Sequence, residues 1–301
     1  MYAKSNVMAH KAGYVNIIGN PNVGKSTLMN ALVGERLSII TSKAQTTRHR
    51  ILGIVNGDDF QILFSDTPGI IKPAYELQNS MMDFVKSAFE DADILIYMVE
   101  VGEKELKDEA FFYKIIHSNI PVLLLLNKID KSNQEQLEEQ VTLWKEKVPN
   151  AEIFPISALN NFNVAAVFDR ILELLPDSPP YYPKDALTDK PERFFVNEAI
   201  REKILLNYDK EIPYAVEVET EEFKEEEEII RIKCVIMVER NSQKGIIIGH
   251  KGEAIKKVGT QARIELEKFF AKKVHIELFV KVNKDWRNSD YQLRRFGYSN
   301  K

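Results

Sequence analysis

Apolar residues recur along this chain in two rhythms. Short, nearly unbroken apolar runs at Tyr14–Ile18, Ile51–Val55, Phe60–Ser65, Ile94–Val99, Val122–Leu126 and Ile153–Ile156 read as strands. Between them a helical spacing marks Thr27–Leu32, Met81–Asp91, Lys104–His117, Gln134–Val148 and Val164–Leu174. Such alternation predicts an α/β domain with a doubly wound, mostly parallel sheet, whose ligands lie at the carboxyl ends of the strands. Asn56-Gly57-Asp58 joins two of the runs as a hairpin. Glu35–His49 has few apolar anchors and reads as a mobile loop, and Met1–Ala12 as a loose polar leader.

The pattern changes after residue 175. Pro176–Pro191 is rich in Pro, Asp and Tyr, cannot continue a helix, and predicts a linker over 176–193 between domains at 1–175 and 194–301. A helix at Phe194–Asn207 follows, then strands at Tyr214–Glu219 and Ile229–Val238. The acidic cluster Glu221–Glu228 between them, interrupted by Phe223 and Lys224, reads as a solvated hairpin turn, with a magnesium or partner site as the alternative. A half-helix at Gly245–Ile248, a long amphipathic helix at Glu253–Phe270 and a strand at Val274–Val280 complete the second domain. The tail from Asn283 interleaves Trp286, Arg287, Tyr291, Arg294, Arg295 and Phe296, a pattern equally suited to stacking bases, docking back on the body or forming a capping helix.

Composition narrows the class. The 301 residues are 44% hydrophobic and 29% charged, ordinary for a globular protein, and no apolar run approaches a membrane span. Cys234 is the only cysteine and falls in an alternating strand pattern, so neither a disulfide framework nor a cysteine-based zinc site is expected. With no signal-peptide pattern at the N-terminus, the expected compartment is the cytoplasm. The five histidines, His10, His49, His117, His250 and His275, show no metal-ligand spacing. Charge is uneven: Asn241–Lys301 holds 14 Lys+Arg against 6 Asp+Glu, a net +8 that leaves −12 to the rest of a chain whose total is −4. A basic end on an acidic protein suits a polyanion, though a solvated basic face would look the same.

The chemistry begins at Gly19-Asn20-Pro21-Asn22-Val23-Gly24-Lys25-Ser26-Thr27, which fits GxxxxGK[ST] between a strand and a helix. A glycine-rich turn feeding a helix N-terminus points backbone N–H groups at phosphate oxygens. Lys25 would reach the β and γ phosphates, and the Ser26 hydroxyl would ligate Mg²⁺. Asp66-Thr67-Pro68-Gly69 ends a strand: Asp66 can hold Mg²⁺ through water, and the Gly69 N–H can face the γ-phosphate. Asn127-Lys128-Ile129-Asp130 follows another strand. The Asp130 carboxylate suits N1 and N2 of guanine, Asn127 suits O6 and N7, and Lys128 would lie along base and ribose. Adenine presents the opposite pattern and would leave the carboxylate unpaired. Ser157-Ala158-Leu159, after a further strand, places the Ala158 N–H to meet guanine O6.

These boxes in this order resemble the translation-factor-like GTPases, and Lys43–Arg50, KAQTTRHR, resembles the switch I signature of the Era family. The resemblance implies that Thr47, or Thr46 beside it, closes over Mg²⁺ and the γ-phosphate; the threonine directly before the arginine favours Thr47. The catalytic set is then Lys25, Thr47 and Gly69, with Ser26, Thr47 and Asp66 at the metal. One departure stands out. Many signalling GTPases carry glutamine after DxxG, whereas Ile70 cannot hydrogen-bond water, so unaided turnover of about 10⁻⁴ to 10⁻² s⁻¹ is expected. In related GTPases an asparagine at the place of Asn22 helps hold potassium, which adds K⁺ to GTP/GDP and Mg²⁺ as an expected cofactor.

In the second half, Gly249-His250-Lys251-Gly252 is a GxxG turn, a pattern expected about once by chance in such a chain. Its setting raises it: Lys244, Gly245 and Ile248 precede it, and a helix carrying Lys256 and Lys257 follows. The glycines allow a nucleic-acid backbone to approach, and helix dipole and lysines attract its phosphates. The element order resembles a type II KH domain, a smaller α+β fold that clamps about four single-stranded nucleotides. Together the two halves resemble the Era family over nearly the whole chain. That resemblance implies binding near the 3′ end of 16S ribosomal RNA, a role in 30S subunit assembly, peripheral association with the inner membrane, and a monomer. The competing expectations are a static RNA-binding scaffold with structural nucleotide, and a signalling GTPase whose KH fold holds a protein.

Overall fold

The computed structural model describes residues 10–106 and 108–298; residues 1–9 of the expected leader lie outside them. The chain divides into two compact units. The first comprises residues up to Ser38, Thr47–Pro73 and Met81–Asp189; the second comprises Ile39–Thr46, Ala74–Ser80 and the chain from Lys190 onward.

In the first unit the order is β1 (Lys11–Gly19), α1 (Lys25–Val33), β2 (Ile51–Asn56), β3 (Phe60–Asp66), α2 (Glu76–Glu90, its first turn in the second unit), β4 (Ile94–Glu100), α3 (Glu109–Ile116), β5 (Val122–Asn127), α4 (Gln134–Lys147), β6 (Ala151–Pro155) and α5 (Val164–Leu174). The six strands lie in the order β2-β3-β1-β4-β5-β6. All pairs are parallel except β2–β3, the hairpin. Central strands β4 and β5 are buried along nearly their whole length, because a parallel sheet covered on both faces leaves no solvent side for polar residues. The order reverses at β1, with β3 on one side and β4 on the other. Its carboxyl end is therefore the crevice where such sheets receive ligands.

Element ends follow local chemistry. The third helix begins at Glu109 rather than at Lys104, because the Asp108 carboxylate caps it, accepting from the Ala110 and Phe111 N–H groups at 3.0 and 3.1 Å. A reciprocal capping box between Asn133 and Gln136 starts α4. The Pro-rich segment after α5 runs along the β2 edge: the Ile54 N–H donates to the Leu187 carbonyl at 2.8 Å and the Thr188 hydroxyl to the Leu52 carbonyl at 2.7 Å. That contact covers an otherwise open sheet edge. Glu35–His49 forms no strand or helix, yet it is packed: Leu37, Ile39, Thr46, Thr47 and Arg48 are buried.

The second unit contains α6 (Glu192–Asn207), β7 (Glu217–Glu225), β8 (Ile229–Val238), α7 (Asn241–Ile248), α8 (Glu253–Phe270), β9 (Lys273–Val282) and α9 (Asp290–Arg295). Strand β8 pairs antiparallel with β7 and parallel with β9, so α7 and α8 form the crossover that a parallel pair requires. Val196, Ile200 and Ile204 of α6 and Val258, Ala262 and Leu266 of α8 bury against Ile232, Cys234 and Ile236 of β8. Cys234 is a buried strand residue whose thiol burial pushes up to about 11, so it is inert. Two expectations are corrected here. Tyr214 sits in a tight turn, Ile212–Tyr214, before β7, and Glu221–Glu225 are strand residues. Their carboxylates meet lysines, Glu221 with Lys281 at 2.8 Å and Glu225 with Lys272 at 3.1 Å. The tail folds back: Trp286 is fully buried, its indole N–H donating to the Ala215 carbonyl at 3.0 Å, and Ser289 caps α9.

Candidate nucleotide site and nucleic-acid groove

The phosphate loop leaves β1 at the switch point and enters α1 at Lys25. Gly24 takes φ 106°, and a Cβ there would lie 2.4 Å from the Asn127 amide nitrogen, so only glycine fits. The Lys25 ammonium is buried and curls over its own loop, donating to the Asn20 and Gly19 carbonyls at 2.9 and 3.2 Å. Burial lowers it to about 8, and the Asp66 and Glu103 carboxylates pull it partly back. A phosphate arriving here would replace two carbonyl partners with full negative charge.

Three hydroxyl and carboxylate oxygens converge beside Lys25. Ser26 Oγ donates to Asp66 Oδ2 at 2.7 Å and lies 2.9 Å from Thr47 Oγ1, which in turn is 3.3 Å from Asp66 Oδ2. Asp66 is fully buried; burial raises its carboxyl, while the Ser26 hydroxyl and Lys25 pull it down. Among the described residues its Oδ1 has no hydrogen-bond partner. An oxygen-only set with one unpartnered carboxylate oxygen fits a hard cation such as Mg²⁺, which keeps most of its waters and takes few protein ligands. Gly69 passes so close to the loop that a Cβ would stand 2.7 Å from Pro21. The Ile70 side chain is fully buried.

The third group lies at the ends of β5 and β6. Buried Asn127 donates to the Val23 carbonyl at 2.7 Å and accepts from the Ala158 N–H at 2.9 Å, tying the two boxes to the phosphate loop. Ser157 Oγ donates to Asp130 Oδ1 at 2.5 Å, leaving an exposed carboxylate held in one orientation. Lys128 reaches the Asn22 carbonyl at 2.7 Å and pairs with Glu100 at 2.6 Å. Leu159 is 77% exposed at the rim.

Not every residue of the sequence boxes turns its side chain to this crevice. The Asn20 amide donates to Glu103 Oε1 and to the Glu105 carbonyl at 3.2 Å, and the Thr67 hydroxyl donates to the Ile17 carbonyl at 2.6 Å. These two shape their loops from behind, and Val23 and Pro68 are buried beneath them. Glu103 was not legible as a partner. It follows β4 with no motif, and burial raises its carboxyl while the Glu100 N–H and Asn20 hold it down.

In the second unit the GxxG turn stands between α7 and α8. Gly249 takes φ 73°, and a Cβ there would lie 2.5 Å from Ala254. Lys251, Lys256, Lys257 and His250 are exposed around the turn, while Lys244, Gly245 and Ile248 line its approach from α7. Beyond it a groove of about 310 Å³ runs between α8 and β9, with Ile255 and Gly259 on its floor and Lys256, Arg263 and His275 at its walls. Arg263 and His275 carry no motif, because one lies in the second half of α8 and the other on β9. The i, i+4 spacing of Ile255, Gly259 and Arg263 is the signal that joins them.

A GTPase family model described as 50S ribosome-binding GTPase matches residues 14–128, and a KH domain model matches 211–287. GTPase Era of Syntrophus aciditrophicus (strain SB) is 46% identical over 96% of this chain and 95% of its own length; GTPase Era of Alkaliphilus metalliredigens (strain QYMF) is 43% identical over 97% and 100%. The chain belongs to the Era family of GTPases. Its fold agrees: a crystal structure of Era in complex with MgGDPNP and nucleotides 1506–1542 of 16S ribosomal RNA superposes with a TM-score of 0.92 at 40% identity, covering 96% of this chain and 99% of that one. A variant of Aquifex aeolicus Era bound to GDP·AlF4⁻ gives the same score and coverage. As a member of the Era family the protein hydrolyses GTP, and GTP and GDP are its nucleotides. Among the described residues no helix is long and apolar enough to cross a membrane.

Proposed function

We propose that the protein is a slowly hydrolysing GTP switch that grips the 3′ region of small-subunit ribosomal RNA in its KH groove and assists 30S subunit assembly. Lys25 neutralises the β and γ phosphates. Ser26, Thr47 and Asp66 hold Mg²⁺, which supplies charge neutralisation on the triphosphate, and the Gly69 N–H meets the γ-phosphate. Asp130, braced by Ser157, and Asn127, braced by Ala158, select guanine. Because Ile70 brings no polar atom to the attacking water, positioning and electrostatics carry turnover, which is therefore slow.

The observation that carries the RNA half is the open, lysine-ringed turn Gly249–Gly252 that feeds α8, the helix whose Ile255, Lys256 and Gly259 line the groove against β9. It is supported by the full-length likeness to an Era captured with ribosomal RNA. Gripping three or four phosphates gives a salt slope of about −2 to −3. The deciding experiment titrates single-stranded 16S 3′-end oligonucleotides against the protein with a GTP analogue and with GDP. A switch shows nucleotide-dependent affinity. Equal affinity in both states would mean a static scaffold, and negligible RNA affinity a protein-binding module.

A further inference from the structure

One buried charge cluster serves neither the nucleotide boxes nor the RNA groove. Arg201 of α6 is 1% exposed. Its Nε and Nη2 donate to the two oxygens of Glu198 at 2.7 and 2.5 Å. Glu217 and Tyr298 stand behind it, close enough to act on its charge, with the Tyr298 hydroxyl donating to Glu217 at 2.7 Å. The other face of the guanidinium is turned on the main chain: Nη1 donates to the Gln45 carbonyl at 3.3 Å and Nη2 to the Thr46 carbonyl. All these groups belong to the second unit.

The same stretch of loop is held at other points within that unit. The Ile40 N–H donates to Glu202 at 3.3 Å, and Lys43 pairs with Asp209 at 2.8 Å. The Gln45 side chain accepts from the Tyr75 hydroxyl at 3.0 Å, and Arg287 lies over the Tyr75 ring at 4.8 Å. Of these holds on the loop, the one from Arg201 takes the carbonyls of two successive residues. A buried charge is costly unless fully paired, and a planar fork is the side chain that can satisfy a carboxylate and two carbonyls together. The next residue in the chain is Thr47, whose hydroxyl stands 2.9 Å from Ser26 and 3.3 Å from Asp66.

We propose that Arg201 is a positioning residue for GTP hydrolysis. By holding the Gln45 and Thr46 carbonyls it fixes where the Thr47 hydroxyl stands, and so sets how well the metal-bound triphosphate state forms. This rests on the reading of Thr47 as the threonine that closes over the metal. Loosening the grip penalises the triphosphate with its Mg²⁺ and leaves GDP alone, because the groups that hold GDP, Lys25, Asn127 and Asp130, do not depend on the loop.

The test compares Arg201→Lys, which keeps the charge and loses the fork, with Glu198→Gln/Arg201→Gln, which removes both charges at similar volume. Thr47→Ala is run beside them, and the readouts are GDP affinity, Mg²⁺-GTP-analogue affinity, kcat and thermal melting. For both Arg201 variants we expect GDP affinity within about twofold of wild type, analogue affinity lower by about five- to tenfold and kcat lower by about tenfold. Equal losses for GDP and analogue, or unchanged kcat in a folded variant, overturn the proposal. If Thr47→Ala loses the analogue while the Arg201 variants keep it, the proposal fails and the Thr47 reading stands; if Thr47→Ala also keeps it, both fail. Should neither variant fold, the wild-type protein decides. The hindered Arg201 guanidinium ¹⁵N signals must change between GDP and analogue, and identical signals overturn the proposal.

Discussion

The phosphate loop and the GxxG turn are two solutions to one problem. Both are glycine-bearing turns that deliver a helix N-terminus, and in both the N-cap is a left-handed glycine with no side-chain cap, Gly24 for α1 and Gly252 for α8. There the likeness ends. The first turn is roofed by its own protein: Lys25 is buried over it, and Asn127 and Lys128 hold its carbonyls. The second has its lysines in solvent. An enclosed turn reads a ligand atom by atom, since every polar group it buries must find a partner. An open turn grips ribose-phosphate with little regard for sequence, and salt weakens it.

The comparison breaks most sharply at Asp130. Asp130→Asn exchanges the acceptor proposed to face N1 and N2 of guanine for a mixed amide. GTP affinity should fall by about 10³-fold or more, with preference passing to xanthosine triphosphate, as equilibrium competition would show. Unchanged guanine preference would remove the assignment of the base pocket. At the open turn the loss should be smaller and salt-dependent. His250→Asp/Lys251→Asp should weaken 3′-end oligonucleotide binding by about ten- to a hundredfold at 0.1 M salt and flatten the salt slope by about 0.7 per lost phosphate contact, with GTP binding untouched.

The enclosed turn also makes a pH prediction that the open one does not. Free Lys25 sits at about 8, and bound phosphate raises it, so the bound state holds a proton that the free state has lost above that value. Nucleotide affinity should therefore be full below pH 8 and fall by up to about tenfold per unit above it, with proton uptake visible by calorimetry in buffers of different ionisation enthalpy. The smallest effect is expected at the groove floor. A Cβ on Gly259 would lie 3.3 Å from Leu278, so Gly259→Ala needs only a slight shift of that leucine and should change stability by less than about 1 kcal/mol in a thermal melt.

The sequence carried the parts whose physics is local. Strand and helix rhythms placed the sheet, and the boxes fell at strand ends because that is where a doubly wound fold opens. What it could not carry depends on distant partners. Nothing around Asn20 or Thr67 says that their side chains turn to Glu103 and to the Ile17 carbonyl. The Pro-rich segment reads as a spacer because its composition bars helix, yet Leu187 and Thr188 bond to β2 through main-chain groups that composition does not reveal. Glu221–Glu225 read as a turn from their charge, and are strand because this stretch pairs with β8, while Lys281 and Lys272 neutralise Glu221 and Glu225. Glu35–His49 looked unanchored partly because two of its anchors, Arg201 and Glu202, lie more than a hundred residues away.

The two tryptophans have a practical use. Trp144 lies wholly buried in α4 of the first unit, against Tyr97, and Trp286 wholly buried in the second, edge-on to Phe296. Each half thus carries its own intrinsic fluorophore in a dry setting. Replacing one indole with phenylalanine leaves a single indole emitter, excited apart from the tyrosines, that reports the melting of one half, so the separate or joint cooperativity of the two can be read from a pair of emission curves.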